Sequence, residues 1–392
     1  MQNGQYHSFQ WSSFACIESV AGLLPGRGDL FYTQGQLRLI DAKNDSLVFI
    51  RLSDGTRFKY LKVSGLPANC NVQVVDTALS QWTVLQQTLM SFDHKMPDKL
   101  SHKFEKAIRL IDSRIDDTEY SQIELFNVMK QALTAIGDKH AFLYSRQLGM
   151  YWSATEVPEN KFQRKGVHHC NNAISVARSN KHVIVKISRL HSFEDNVTYD
   201  LGYSSCLNKL ASELVAIKDL KHRNLVIDLR DNGGGSLVYA AQLLSILTSG
   251  KAQTLSYLNS FKIENNVSYP LTEQAKHRYV LINRNTVSAA EHLALALTHA
   301  GFTSAGELSA GAFSPAIVKT LPNGWFFGFS QYQKVFDSMK NPVPEKVGIQ
   351  VQHRLSSERH DTSCHLDQID TSIQSEPNLF SCRFHNLGLD KF

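Results

Sequence analysis

The spacing of apolar positions changes character along the chain, and each change marks a boundary. Before residue 75, short runs of β-forming residues (30–32, 36–40, 47–52 and 58–63) are cut by turn chemistry at Gly35, Asn44-Asp45 and Asp54-Gly55. This pattern predicts a small β subdomain over residues 1–75, with Asp54-Gly55 as a hairpin turn. From Thr77 to about Tyr144 glycine almost disappears and the apolar period becomes helical. Trp82, Leu85 and Leu89 form one stripe, and Ile123, Phe126, Met129, Leu133 and Ile136 form another. Both read as core faces of a helical bundle over residues 76–150. Asp116 or Thr118 is the expected cap of the second helix, and Gly137 its stop.

Beyond residue 151 strands and helices alternate. Residues 183–187, 225–229 and 279–282 read as buried strands, and 203–218, 237–247 and 289–300 as helices. Such alternation predicts an α/β domain over 151–355, a parallel-rich sheet with flanking helices. After Arg354 the chain turns polar and serine-rich, and 356–392 reads as a surface tail.

Composition narrows the class. Hydrophobic residues make up 42% of the 392 and charged residues 20%, which excludes wholesale disorder. The net charge of +5 is dilute and no basic block occurs, so no nucleic-acid partner is expected. No apolar run approaches the roughly 20 residues of a transmembrane helix. The six cysteines (Cys16, Cys70, Cys170, Cys206, Cys364 and Cys382) contain no Cys-x-x-Cys, and His168-His169-Cys170 has no acidic neighbour in sequence. Neither a metal nor an organic cofactor is expected. Met1-Gln2-Asn3-Gly4 lacks a basic and an apolar signal region, which fits a cytoplasmic protein or one whose signal preceded this numbering.

Two segments carry chemistry. In residues 224–236 an apolar strand runs through Asp228 and Arg230 into Gly233-Gly234-Gly235, just before a helix. Glycines there let backbone N–H groups face a ligand, either a phosphate or an oxyanion. No Gly-Lys-Ser/Thr follows and no Gly-x-Gly-x-x-Gly is present, so phosphate-loop and dinucleotide readings fail. In residues 279–297 a strand and polar turn lead to a helix opening at Ser288. Ser288 with Glu291 makes a capping box, but a strand-to-helix turn also exposes nucleophilic hydroxyls. Spacing alone leaves both open.

The order of these pieces resembles the tail-specific (C-terminal-processing) and tricorn-core serine proteases. Asp-Leu-Arg-Asp-Asn-Gly-Gly-Gly at 228–235 is followed by Thr-Val-Ser-Ala-Ala-Glu at 286–291, Gly-Glu-Leu-Ser-Ala-Gly at 306–311 and Leu-Pro-Asn-Gly at 321–324. Upstream, Gly137-Asp138-Lys139-His140 is similar to the family's Asp-x-His motif. The resemblance implies a ClpP/crotonase-like core and a serine endopeptidase acting on protein or peptide substrates. Of the family's two designs, the Ser–Lys dyad has no lysine here, because Gly311-Ala312-Phe313 occupies its position. The Ser-His-Glu design implies Ser288 as nucleophile, His140 as base and Glu345 as orienting acid, with Asp337 in reserve. It places the oxyanion on the amides of Gly234 and Ala289, with Gly233 the near alternative. The chain between His140 and Val183 falls short of the minimum of about 50 residues for a separate domain, so the family's PDZ domain does not fit. A catalytically inactive member, binding peptides or apolar ligands, is the alternative. By the same resemblance the protein is expected outside the cytoplasm, periplasmic or secreted, and because the polar tail has little apolar surface to hold it down, Cys364 and Cys382 are expected to be bonded across it.

Overall fold

The N-terminal strands fall much where the apolar pattern places them, and the expected Asp54-Gly55 turn lies outside the described residues. The structure, a computed structural model, describes residues 76–355 except 92–97, 113–114, 116–119, 156–165, 194–204, 218, 249–274 and 331–340. Before residue 76 it describes the strand segments below together with Asp45 and Gly65. Asp337, the tail 356–392 and the expected Cys364–Cys382 bond lie outside the described residues, as do Asp116 and Thr118.

Strands β1 (Ser8–Trp11) and β2 (Cys16–Ser19) pair antiparallel. β3 (Gly22–Leu23), β4 (Asp29–Tyr32), β5 (Gly35–Lys43), β6 (Ser46–Arg51) and β7 (Arg57–Leu61) follow as a five-stranded antiparallel meander in chain order. Helices α1 (Ala78–Met90), α2 (Asp98–Asp112) and α3 (Gln122–Ile136) come next, then β8 (Phe142–Ser145) and β9 (Met150–Ser153).

The α/β part runs β10 (Val167–His169), β11 (Ile174–Arg178), β12 (His182–Ile187), α4 (Ser205–Val215), β13 (Asn224–Asp228), α5 (Leu237–Leu247), β14 (Arg278–Ile282), α6 (Ala289–His299) and β15 (Thr303–Gly306). The hairpin β16 (Ala316–Thr320) and β17 (Phe326–Ser330) and the short β18 (His353–Arg354) complete the order.

Two compact units result. One comprises Met1–Glu156, His191–Ser204 and Ala312–Val335, and the other Val157–Leu190, Ser205–Gly311 and Phe336–Phe392. The hairpin β16–β17, expected inside the 151–355 domain, thus belongs with the helices. It pairs through β17 with β8, giving an antiparallel sheet of order β16-β17-β8-β9. Trp82, Leu85 and Leu89 of α1 and Phe126, Met129 and Leu133 of α3 share one core with Trp325, Phe327 and Phe329 of the hairpin. Both predicted helical stripes therefore point at a β-sheet as well as at each other.

The second unit holds a seven-stranded sheet of order β10-β11-β12-β13-β14-β15-β18. From β12 to β18 neighbours are parallel, and only the β10–β11 and β11–β12 pairings are antiparallel. Every residue of β13 is buried, as a strand covered on both faces requires. Helix α5 is buried along nearly its whole length and packs on α6. A disulfide joins Cys170, in the β10–β11 turn, to Cys206 at the start of α4.

Candidate active site

Ser288 ends the turn between β14 and α6 with φ 57° and ψ −123°, a left-handed backbone that serine rarely adopts. What holds it there is local. Val287 N–H donates to the Asn232 carbonyl (3.0 Å), and Glu291 N–H to the Ser288 carbonyl (2.8 Å). Thr286 Oγ1 accepts from Asn283 N–H (3.0 Å) and donates to the Leu229 carbonyl (3.0 Å), tying the end of β13 to the turn. Such a strained strand-to-helix turn puts a serine side chain at its apex, and Ser288 is half-buried there.

The glycine turn is built against the same apex. Gly234 has φ +89°, and a Cβ on it would lie 2.7 Å from the Val287 carbonyl oxygen and 3.1 Å from the Ala289 nitrogen. Only glycine fits so close an approach. Asp231, itself at φ 59°, receives Asn283 Nδ2–H (2.9 Å) and Asn285 Nδ2–H (2.8 Å) on its carboxylate and donates its own N–H to Asn283 Oδ1 (2.9 Å). Asn232 Nδ2–H reaches the Ile187 carbonyl, while Asn232 Oδ1 accepts the Gly234 N–H at 2.9 Å. That last bond occupies the amide that the resemblance assigned to an oxyanion. Gly233, beside it, is exposed, and the N–H of Ala289, first residue of its helix, has no intrahelical acceptor.

Below the apex, Glu291 is wholly buried and serves as a hub. Its Oε2 accepts the Ser288 N–H (3.1 Å), and its Oε1 accepts Ser309 Oγ–H (2.6 Å) and Gly311 N–H (2.6 Å). Ser309 Oγ in turn accepts the Ile349 N–H (2.7 Å), and the Gly311 carbonyl accepts the Lys346 N–H (2.6 Å). Glu345 opens this last turn, in the same unit as Ser288, and donates its N–H to the Val343 carbonyl (2.7 Å).

A charged cluster stiffens the strand that feeds the glycines. Arg230 Nε and Nη2 donate to the two oxygens of Asp228 (2.9 and 2.8 Å), and Lys186 Nζ donates to the Arg230 carbonyl (2.5 Å). Burial works to raise the Asp228 carboxyl, but Arg230 and Lys186 outweigh it and hold the group well below the usual carboxylate range. Burial lowers the Lys186 ammonium, against the opposing pull of Asp228.

His140 is built in the other unit, by different means. Ser121 caps α3 through a capping box with Glu124, not Asp116 or Thr118, and Gly137 closes the helix at φ 67° as expected. Asp138, Lys139 and His140 then turn into β8, pinned where Thr155 Oγ1–H donates to the Lys139 carbonyl (2.6 Å). The β8–β17 register pairs Phe142 with Gly328, and continuing it two residues sets His140 across from Ser330. His140 Nδ1 lies 3.0 Å from Ser330 Oγ, whereas its Nε2 is buried with no hydrogen-bond partner among the described residues. Desolvation pulls the imidazole below its ordinary 6.5, and the Asp138 charge opposes this in part.

Residues 188–353 match the model of peptidase family S41. Over those residues the chain is similar to the serine peptidases of that family. The S41 segment includes the glycine turn, Ser288 and Glu345, while His140 lies upstream of it. No curated protein matches the sequence. Among solved structures, a candidate peptidase from Parabacteroides merdae is similar at 19% identity, over 76% of this chain and 94% of that one, with a TM-score of 0.48. A lipoprotein from Streptococcus agalactiae is similar at 15% identity, over 80% and 99%, with a TM-score of 0.44. The photosystem II D1 C-terminal processing protease is similar at 12% identity, over 77% and 98%, with a TM-score of 0.40.

Sequence reasoning missed Asp231, Asn283 and Ser330. The asparagines and aspartate looked like ordinary turn residues, and Ser330 stands 190 residues from the histidine it touches. His169, read as lacking an acid, receives one from α4: its Nε2 lies 2.5 Å from Glu213, which also binds Arg178.

Proposed function

We propose that the chain is a serine endopeptidase of the tail-specific, tricorn-like kind, cutting protein or peptide substrates through an acyl-enzyme. Ser288 Oγ attacks the scissile carbonyl, and His140 Nε2 takes its proton and returns it to the leaving amine. Water then cleaves the ester by the same steps reversed. The N–H groups of Ala289 and Gly233 are the donors for the oxyanion, and Gly234 contributes the space that lets the glycine turn approach.

The observation that carries this reading is the backbone of Ser288. A left-handed serine costs on the order of 1–3 kcal/mol, and such strain persists at sites where it positions a reacting group. The Nε2 of His140, buried and without a hydrogen-bond partner among the described residues, supports the second role. An extracytoplasmic location fits the Cys170–Cys206 disulfide, since such bonds persist in oxidising compartments.

A fluorophosphonate probe tests the assignment. The wild type should form one adduct, mapped by mass spectrometry to Ser288, and Ser288→Ala should form none while staying folded. Labelling that survives Ser288→Ala, or an unreactive wild type, overturns it.

A further inference from the structure

We infer that the base is oriented through a hydroxyl: Ser330, held by Asp138, fixes His140 as the tautomer whose Nε2 is free to take a proton. The inference rests on reading His140 as the base, and it assigns to Ser330 and Asp138 the orienting role that the family resemblance gives to Glu345.

The hydrogen-bond ledger leaves one arrangement. Asp138 is 5% exposed, and its carboxylate can only accept. Its Oδ1 takes the His140 backbone N–H (2.8 Å) and the Ser330 hydroxyl (2.8 Å), and its Oδ2 takes the Ser330 backbone N–H (2.6 Å). A serine hydroxyl has one proton. With that proton directed at Asp138, Ser330 Oγ can only accept from the imidazole, so the 3.0 Å contact is Nδ1–H donating to oxygen. The lone pair is therefore on Nε2, the buried nitrogen without a hydrogen-bond partner among the described residues.

The same chain of bonds supports the charged state. When Nε2 gains a proton, the positive charge on the ring polarises the Nδ1–H bond, and the Asp138 charge is felt through the oriented hydroxyl. No proton needs to move along it. Ser330 and Asp138 are positioning residues, since both act on His140 and neither need touch substrate. Both elements are fixed from behind: β8 and β17 are paired, and Phe327 and Phe329 beside Ser330 are fully buried in the helical core.

The test reads the tautomer directly. In protein carrying 15N-histidine at pH 8, long-range proton–nitrogen correlation distinguishes Nδ1–H from Nε2–H, and His140→Gln identifies the signals. The wild type should show Nδ1–H at His140. Ser330→Ala should shift it towards Nε2–H, and Ser330→Thr, which keeps the hydroxyl, should restore it. Asp138→Asn should also favour Nε2–H, because an amide donor turns the Ser330 hydroxyl towards the ring. In turnover, Ser330→Ala should lower kcat on the order of 10²-fold with KM nearly unchanged, and Ser330→Thr should recover most of it. An Nε2–H wild type, a tautomer indifferent to Ser330→Ala, or a tautomer that responds only to Glu345→Gln overturns the inference. A wild type without Ser288-dependent hydrolysis would sink the peptidase reading instead, and the tautomers would still decide the hydroxyl link.

Discussion

Gly234 backs onto Ser288 so closely that a methyl group at position 234 would stand 2.9 Å from the Ser288 Cβ. The glycine turn and the serine turn are thus one packed object, and a change in either displaces the other. Gly234→Ala should lower stability by about 2–4 kcal/mol, from left-handed strain plus overpacking, and should depress kcat more than tenfold. Gly324 is the control. It has φ +81° with nothing within 4 Å of a built Cβ, so Gly324→Ala should cost only the strain, about 1–2 kcal/mol, and spare turnover. Denaturant midpoints and kcat on the two variants check the contrast.

Glu291 is expected to matter beyond its place in a capping box. Glutamine there cannot accept on both sides, so one of Ser288 N–H, Ser309 Oγ–H and Gly311 N–H must lose its acceptor. Glu291→Gln should cost about 1–3 kcal/mol and slow probe labelling of Ser288. A variant that labels at the wild-type rate would show that the apex holds its geometry unaided.

The pH dependence follows from the lowered imidazole. The rate kcat/KM should rise with pH through a group titrating below 6.5 and be flat at neutrality. The same shift has a sign for stability. Below 6.5 the unfolded chain binds a proton that folded His140 resists, so its contribution is intact above 6.5 and is lost as pH falls through the folded value. His140→Gln should accordingly flatten the acid slope of thermal stability. An acid limb centred above 6.5 would contradict the desolvated environment.

Cys170 and Cys206 are separated by 36 residues, a loop whose closure is worth about 4 kcal/mol in the chain-entropy account. Peptide mapping of unreduced protein should recover the linked pair. The double replacement by serine should lose stability up to that amount and keep Ser288 reactive. Two free thiols at these positions in protein from an oxidising compartment would refute the pairing.

Where a side chain's role depends on its near neighbours, the sequence was readable. Helix α5 was expected over 237–247 and occupies those residues, because an apolar run interrupted only by Gln242 and Ser245 follows the cap at Ser236. Ser288 was visible for the same reason: strand, turn and helix lie within one short segment. Helix α2 was not singled out, although Leu100, Phe104, Ile108 and Ile111 recur at helical spacing among charged residues and Ile108 and Ile111 are buried. The cap at Ser121 lost out in the reading to Asp116 and Thr118, which are equally good capping types. Pairings across long separations gave no signal at all. The Cys170–Cys206 bond was one of many combinations, and Ser330 meets His140 only through the register of β8 on β17.

That register has a consequence for how the protein is made. His140 leaves the ribosome 190 residues ahead of Ser330, a delay of roughly 10–40 s at ordinary elongation rates. Ser288 emerges within that interval. Until the hairpin arrives, α1 and α3 lack the aromatic rings of Trp325, Phe327 and Phe329 that complete their core. The strand-to-helix turn of Ser288 is therefore synthesised before the surroundings of His140 can close, so under the proposed mechanism a nascent chain would have its serine before it had an oriented base.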